Sequence, residues 1–211
     1  MTIPRASGYR EFGYAGTGGS PASQYISPVV LAVLRDLPTA ARVLDVGCGN
    51  GALAGQLIEA GLTVVGIDLS EEGIGIARDV HPQGRFEVMP ADARMLEHLG
   101  EQPFDAIVST EVIEHLYDPV AYLIGCREAL RPGGRLVVST PYHGYLKNMA
   151  LAITGRWDSH LQPARVGGHI KFWSRSTLTA ALEDGGFRSI EFHGAGRIPL
   201  VWKSMILTAI R

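Results

Sequence analysis

Short apolar runs alternate along most of this chain with segments whose apolar positions recur at helical spacing. Residues 42–46, 63–67, 85–89, 104–109 and 135–140 are rich in Val, Ile, Leu, Ala and Phe, with little polar alternation. Such runs read as strands covered on both faces, hence a parallel sheet with helices on either side. The helices are expected at 52–60, 71–79 and 120–130. Leu130-Arg131-Pro132-Gly133-Gly134 should stop the last of these, because proline cannot continue a helix and glycine accepts a left-handed turn.

At both ends the pattern changes. Residues 1–20 carry Gly, Ser and Tyr without periodicity, so a flexible arm over 1–25 is expected, with Ser27-Pro28 opening a helix through Val29, Val30, Val33 and Leu34. After Thr140 the alternation breaks, and 141–173 mixes aromatic, histidine and glycine residues around a short apolar patch at 149–153, as an inserted cap would. A helix at 176–184, a strand at 187–193 and a final strand, or strand and bend, within 198–210 complete the chain. The expected fold is a doubly wound, mostly parallel Rossmann-like α/β sheet, and 211 residues with 46% hydrophobic content suit one domain over 1–211.

A net charge of −2 offers no general attraction to nucleic acid or an anionic membrane, and no apolar stretch is long enough to span a bilayer, although the 198–210 segment could rest on one. Cys48 and Cys126 lie far apart and outside any CxxC pattern, and the first residues lack a signal-peptide core, so a reducing, cytoplasmic setting is expected. Oligomeric state is not legible.

The candidate chemistry starts at Asp45-Val46-Gly47-Cys48-Gly49-Asn50-Gly51, a turn between the first strand and first helix that brings bare backbone close to a ligand. Gly47-x-Gly49-x-x-Ala52 also satisfies a dinucleotide fingerprint, so the turn alone leaves an NAD-dependent oxidoreductase open. Asp45 would repel a pyrophosphate but suits a cationic ligand. Asp68, 17 residues after Gly51 and ending the second strand, can accept ribose hydroxyls, and Asp92 after the third strand can receive an adenine amino group. Each acid alone also fits a helix cap or a solvated turn.

These blocks, with Gly66-Ile67-Asp68-Leu69-Ser70, Phe104-Asp105-Ala106-Ile107-Val108 and Leu130-Arg131-Pro132-Gly133-Gly134, resemble the ordered motifs of class I S-adenosylmethionine-dependent methyltransferases over roughly residues 25–193. Glu111-Val112-Ile113-Glu114-His115-Leu116 is similar to a segment of the ubiquinone-biosynthesis O-methyltransferases. The resemblance implies S-adenosylmethionine as cofactor, with Asp45, Gly47, Gly49, Gly51, Asp68, Leu69, Asp92, Ala93, Thr110 and Glu111 around it. It implies a small-molecule acceptor, a phenol, quinol or similar hydroxyl; a small-molecule amine, a small RNA, or a module that binds cofactor without turnover remain alternatives.

Glu111, Glu114 and His115 stand at i, i+3 and i+4 and would share one face of a helical turn beginning at Glu111. With His169 from Gly167-Gly168-His169 they form a candidate Mg²⁺, Mn²⁺ or Zn²⁺ site, as a similar Glu-x-x-Glu-His does in small-RNA 2′-O-methyltransferases. The same pattern is common in relatives that need no metal. Without one, His115, His143 or His169 would serve as general base. Tyr142, His143 and Tyr145 are expected to wall a flat acceptor, with Trp157, His160, Phe172 and Trp173 adding to the cap. Lys147, Arg156, Arg165, Lys171 and Arg175 give the cap a positive bias, and Tyr9, Phe12 and Tyr14 could form a lid.

Overall fold

The computed structural model of the chain describes residues 13, 14, 16–161 and 167–211. Helix α1 (Ser23–Leu34) precedes the first β-α-β units: β1 (Arg42–Val46), α2 (Ala52–Glu59), β2 (Thr63–Asp68), α3 (Glu71–Val80) and β3 (Arg85–Val88). The short α4 (Met95–Leu99) leads to β4 (Phe104–Thr110), α5 (Pro119–Ala129) and β5 (Leu130–Pro141). The cap contributes α6 (Tyr145–Ile153) and α7 (Trp157–Leu161), and α8 (Arg175–Asp184) precedes β6 (Arg188–Ala195) and β7 (Ser204–Ile210).

All seven strands join one sheet in the order β3-β2-β1-β4-β5-β7-β6. The pairings among the first five strands are parallel, and β7 runs antiparallel between β5 and β6. The continuous apolar character of the strands follows from burial on both faces. Leu44 and Val46 enter one core with Ile107 and Leu136, while Val43 enters the other with Val108, Val137 and Ile206. Strand β1 pairs with β2 on one side and β4 on the other, so chain direction away from it reverses there. That switch point opens a crevice at the carboxyl ends of the strands, where ligands of open α/β sheets bind.

Two boundaries and two further elements differ from expectation. Helix α1 starts at Ser23, and Pro28 lies inside it, on the exposed side. Ser27-Pro28 mimics a helix start because proline suits a first turn, yet here only the bond to the Gln24 carbonyl is forfeited. Strand β5 begins at Leu130, which pairs with Phe104 before the register jumps to Ala106 opposite Arg135, so the Pro132-Gly133-Gly134 segment interrupts the strand edge rather than preceding it. The cap is helical over α6 and α7. Helix α4 went unanticipated because it offers only two inward residues, Met95 and Leu99.

The arm is less free than its composition suggests. The buried Asn50 side chain donates to the Gly16 and Gly18 carbonyls at 2.5 and 2.9 Å, which fastens 16–18 to the turn after β1. Tyr9, Phe12 and Arg165 lie outside the described residues. No described helix is long and apolar enough to cross a membrane.

Candidate active site

The turn after β1 folds over the end of β2, where the Gly47 and Cys48 N–H groups both donate to the Ile67 carbonyl, at 2.7 and 3.1 Å. Gly47 has φ +77°, and a Cβ there would strike the Val112 side chain. Gly51, at φ +79°, is the N-cap of α2 and packs so close to α3 that a Cβ would lie 2.9 Å from that of Ala77. Both positions need glycine for backbone conformation and for close approach.

Asp45 sits beneath this turn, 1% exposed, with no protein hydrogen-bond partner for either carboxylate oxygen. Burial, with the Asp68 charge adding to it, pushes its carboxyl up to about 7. Asp68 accepts the Gly49 N–H at 2.9 Å and the Ser70 N–H at 2.8 Å, which fixes the orientation of its carboxylate at the rim.

These groups border a cleft of about 690 Å³. Asp45, Gly47, Gly49, Asp68, Leu69, Thr110, Glu111, His115 and His169 line it, as expected for a site built at successive strand ends. Among the described residues the structure does not bring Gly51, Asp92 or Ala93 to its wall, although Met89 and Ala91 are there. The Asp92 carboxylate accepts the Arg94 N–H at 2.8 Å and lies 4.0 Å from His98, so here it orders the turn into α4.

The Glu-x-x-Glu-His segment departs from the expected helical turn. Glu111 has φ +57°, and the 3-10 turn covers only Ile113–His115. A side chain at a positive φ leaves the helical face, so Glu111 separates from the other two. Its N–H reaches Ser139, whose Oγ donates back to Glu111 Oε1 at 2.9 Å. Burial raises the Glu111 carboxyl to about 6, opposed by Ser139, Ser204 and the charges of Lys147 and Lys203.

Glu114, His115 and His169 do converge, each offering a ligand atom within 4.8 Å of the others. Glu114 is fully buried and neither of its oxygens meets a hydrogen-bond partner. Its Oε1 lies 4.0 Å from His115 Nε2 and equally far from His169 Nε2. Burial first, then the Glu111 charge, hold its carboxyl well above the usual range. His115 Nδ1 lies 3.2 Å from the Gly168 carbonyl; a proton there makes Nε2 the lone-pair nitrogen, on the side of Glu114.

His143 is separated from the cleft. It is buried, with its ring edge-on to His160 and Phe172 at 5.4 and 5.3 Å and Nδ1 3.4 Å from Asn148 Oδ1. Burial, with Lys147 adding to it, lowers its pKa to about 4. Tyr142, His143 and Tyr145 line a second, shallower depression beside α8, so the expected aromatic wall of the main cleft does not form there. The cap contributes His160 and Leu161 instead. Lys171 and Arg175 lie over the Tyr117 and Phe192 rings rather than in the cleft.

Sequence reasoning missed Asn50, Lys203 and the first turn of α1 as parts of the site; all line the cleft. Tyr14 also lines it, against Gly49 and Gly73. Asn50 stood inside the glycine turn, which was the available signal, whereas Lys203 reaches the cleft only because β7 inserts next to β5.

A doubly wound sheet with a glycine turn, a buried unpartnered acid and a rim acid at its switch point defines a class I methyltransferase. The methyltransferase domain family matches residues 21–191, and the chain belongs to this family of S-adenosylmethionine-dependent enzymes. The ubiquinone biosynthesis O-methyltransferase of Ruegeria sp. is 34% identical over 181 residues, covering 80% of this chain and 71% of that protein. That of Dinoroseobacter shibae is 37% identical over 163 residues, covering 75% of this chain and 64% of the relative. The chain thus spans about two thirds of these relatives. Among solved structures, magnesium protoporphyrin IX methyltransferase from Synechocystis, with bound S-adenosylhomocysteine, superposes with a TM-score of 0.65 at 24% identity, over 90% of this chain and 83% of that one. The oxidoreductase alternative falls with the family assignment.

Proposed function

We propose that this protein transfers the methyl group of S-adenosylmethionine to a hydroxyl oxygen of a small phenol or quinol, and works in the cytoplasm. One observation carries the reading: a single cleft joins the Asp45 and Asp68 end to the His115 and His169 end. The names of the relatives support an oxygen acceptor, and two buried, unpaired cysteines suit a reducing compartment.

Asp45 faces the cationic methionine end of the donor, Asp68 accepts ribose hydroxyls, and Gly47, Gly49, Leu69, Thr110 and Glu111 shape the wall around it. Met89 and Ala91 border the adenine side, and Asp92 and Ala93 act there only by shaping the turn that follows Ala91. When bound, S-adenosylmethionine supplies a methyl group on a sulfonium, so the leaving group needs no proton. The chain's task is to align the acceptor oxygen, exclude water and dispose of the acceptor's proton.

Glu114, His115 and His169 fit a divalent cation of the Mg²⁺, Mn²⁺ or Zn²⁺ kind. One buried carboxylate without partners and two imidazoles form a hard-to-borderline donor set, and a cation would compensate the cost of burying Glu114. Such an ion, when bound, supplies a Lewis acid that lowers the pKa of an acceptor hydroxyl. Glu111 stands beside this trio on the cleft wall. Without a cation, His115 and His169 are the imidazoles placed to accept the proton.

The test is product analysis with labelled S-adenosylmethionine over catechols, quinols, amines and short RNAs, with and without each cation. A methyl ether of a catechol or quinol is expected. Methylation confined to amines or RNA would overturn the acceptor assignment, and cofactor binding without any product would overturn turnover.

A further inference from the structure

We infer that Lys203 selects the methyl acceptor: its ammonium receives a carboxylate carried by the acceptor's aromatic ring, so an anionic catechol or quinol is preferred to a neutral one. The inference rests on the oxygen-acceptor reading above and narrows its substrate class.

Lys203 stands immediately before β7, and its backbone is pinned on three sides. Its N–H donates to the Ala195 carbonyl at 3.0 Å, while its carbonyl accepts the Tyr142 N–H at 3.2 Å and the Lys147 Nζ at 3.5 Å. The next residue, Ser204, pairs with Pro141 at the carboxyl end of β5, so the lysine is delivered to the edge of the sheet where the cleft opens. Among the described residues it is the one lysine or arginine of the cleft wall, whose acids are Asp45, Asp68 and Glu111. The ion pairs formed by the described residues do not include its ammonium. An exposed, unpaired lysine is ordinary on an outer surface, but this one faces a ligand cavity.

Glu111 answers that charge only in part. The charges of both Lys147 and Lys203 act on its carboxylate, so two cations share one acid and positive charge is left over for a ligand. The strand order sets the lysine on the acceptor's side. Strands β4 and β5 lie between β1 and β7, which puts Lys203 nearer the turn after β4 that carries His115 than the glycine turn after β1. The two strand spacings from β4 to β7, about 10 Å, leave room for one aromatic ring with its hydroxyl toward the histidines and an acidic substituent toward the lysine. A carboxylate gains charge-assisted hydrogen bonds from the ammonium. A neutral ring would displace water from that ammonium and return nothing.

The test measures methyl transfer to protocatechuate, its neutral amide and dopamine, at low ionic strength so that the charges are not screened. Lys203→Met is expected to raise KM for protocatechuate about tenfold or more with kcat within about twofold, and to change KM for the amide by less than about twofold. Lys203→Glu should reverse the preference and favour dopamine. Comparing variant with wild type for each acceptor cancels the differences in phenol acidity among the three. Affinity for S-adenosylhomocysteine should stay within about twofold in both variants. Equal changes for acid and amide, no change for either, or a tenfold loss of S-adenosylhomocysteine affinity would overturn the inference. Transfer by the wild type to uncharged catechols or quinols only would overturn it as well and leave the oxygen-acceptor reading standing. Absence of transfer to any catechol or quinol would instead remove that reading, and this inference with it.

Discussion

Glu114 holds His169 beside it through its backbone: its carbonyl accepts the Ile170 N–H at 2.9 Å and the Lys171 N–H at 3.0 Å, which sets its Oε1 4.0 Å from His169 Nε2. The cap segment that carries His169 is therefore registered against the turn after β4 by the protein itself, and the two histidines meet edge-on with ring centroids 4.9 Å apart. Glu114→Gln should abolish stoichiometric cation binding, because the amide lacks the charge that a divalent ion requires. In cation-free protein near neutral pH the same change should raise stability, since the amide has no charge to give up on burial whereas burial holds the Glu114 carboxyl well above its ordinary value. Elemental analysis and thermal melts with and without Mn²⁺ read both effects. A variant that retains the cation would count against the trio.

Asp45 gives stability an unusual pH dependence. Its carboxyl stands at about 7 in the folded chain against an ordinary value of 3.8. Between those values the folded state keeps a proton that the unfolded chain has released, so the ligand-free protein should lose stability as pH rises through that window. A shift of that size is worth roughly 4 kcal/mol. Affinity for S-adenosylhomocysteine should run the other way and increase with pH toward about 7, since the ammonium needs the ionised acid. Asp45→Asn should flatten both trends. Identical slopes in wild type and variant, in melts from about pH 4.5 to about 8, would refute the assignment.

Removing the Asn50 side chain should release the arm without unfolding the sheet. Asn50→Ala deletes the bonds to the Gly16 and Gly18 carbonyls, worth about 1–2 kcal/mol together. Faster amide hydrogen exchange is expected at 14–20, with core strands unchanged, and affinity for S-adenosylhomocysteine should drop several-fold. Unaltered exchange in that segment would show that the arm is held by other contacts.

Gly47→Ala should cost about 1–3 kcal/mol and most of the cofactor affinity, because the new methyl meets Val112 at a backbone conformation that L residues rarely adopt. Pairing it with Val112→Ala should restore part of the stability. If the double variant is no more stable than the single one, backbone strain rather than the Val112 contact dominates.

His143→Ala is expected to lower the melting temperature by several degrees, through the cavity left under His160 and Phe172, and to leave turnover within about threefold. A hundredfold loss of turnover at unchanged cofactor affinity would restore His143 as the general base.

Much of the fold was legible because the apolar runs are two-sided. Strand β1 begins and ends where the run from Arg42 to Val46 does, since both of its faces face cores and Gly47 ends it. The spacing of Asp45, Gly47, Gly49 and Asp68 likewise placed one end of the cleft, because strand ends of a parallel sheet fall in line. Local periodicity failed where tertiary contacts set the backbone. Glu111 looks helical by spacing, but its N–H is claimed by Ser139 on β5 and its φ turns positive. Pro28 looks like a helix start, yet the helix is anchored upstream of it. His143 looks catalytic by composition and position, and only the ring contacts of the cap reveal it as interior packing.

The placement of β7 bears on how the molecule is made. It follows both β5 and β6 in chain order but lies between them in the sheet. During synthesis the outer edge of β5 therefore stays an open template for foreign strands until β7 leaves the ribosome, although the parallel half that carries Asp45 and Asp68 can already have folded. Crowded or slowed translation is thus a hazard for β5 and for β6, which pairs only with β7, and the lysine that β7 delivers to the cleft arrives only once that hazard has passed.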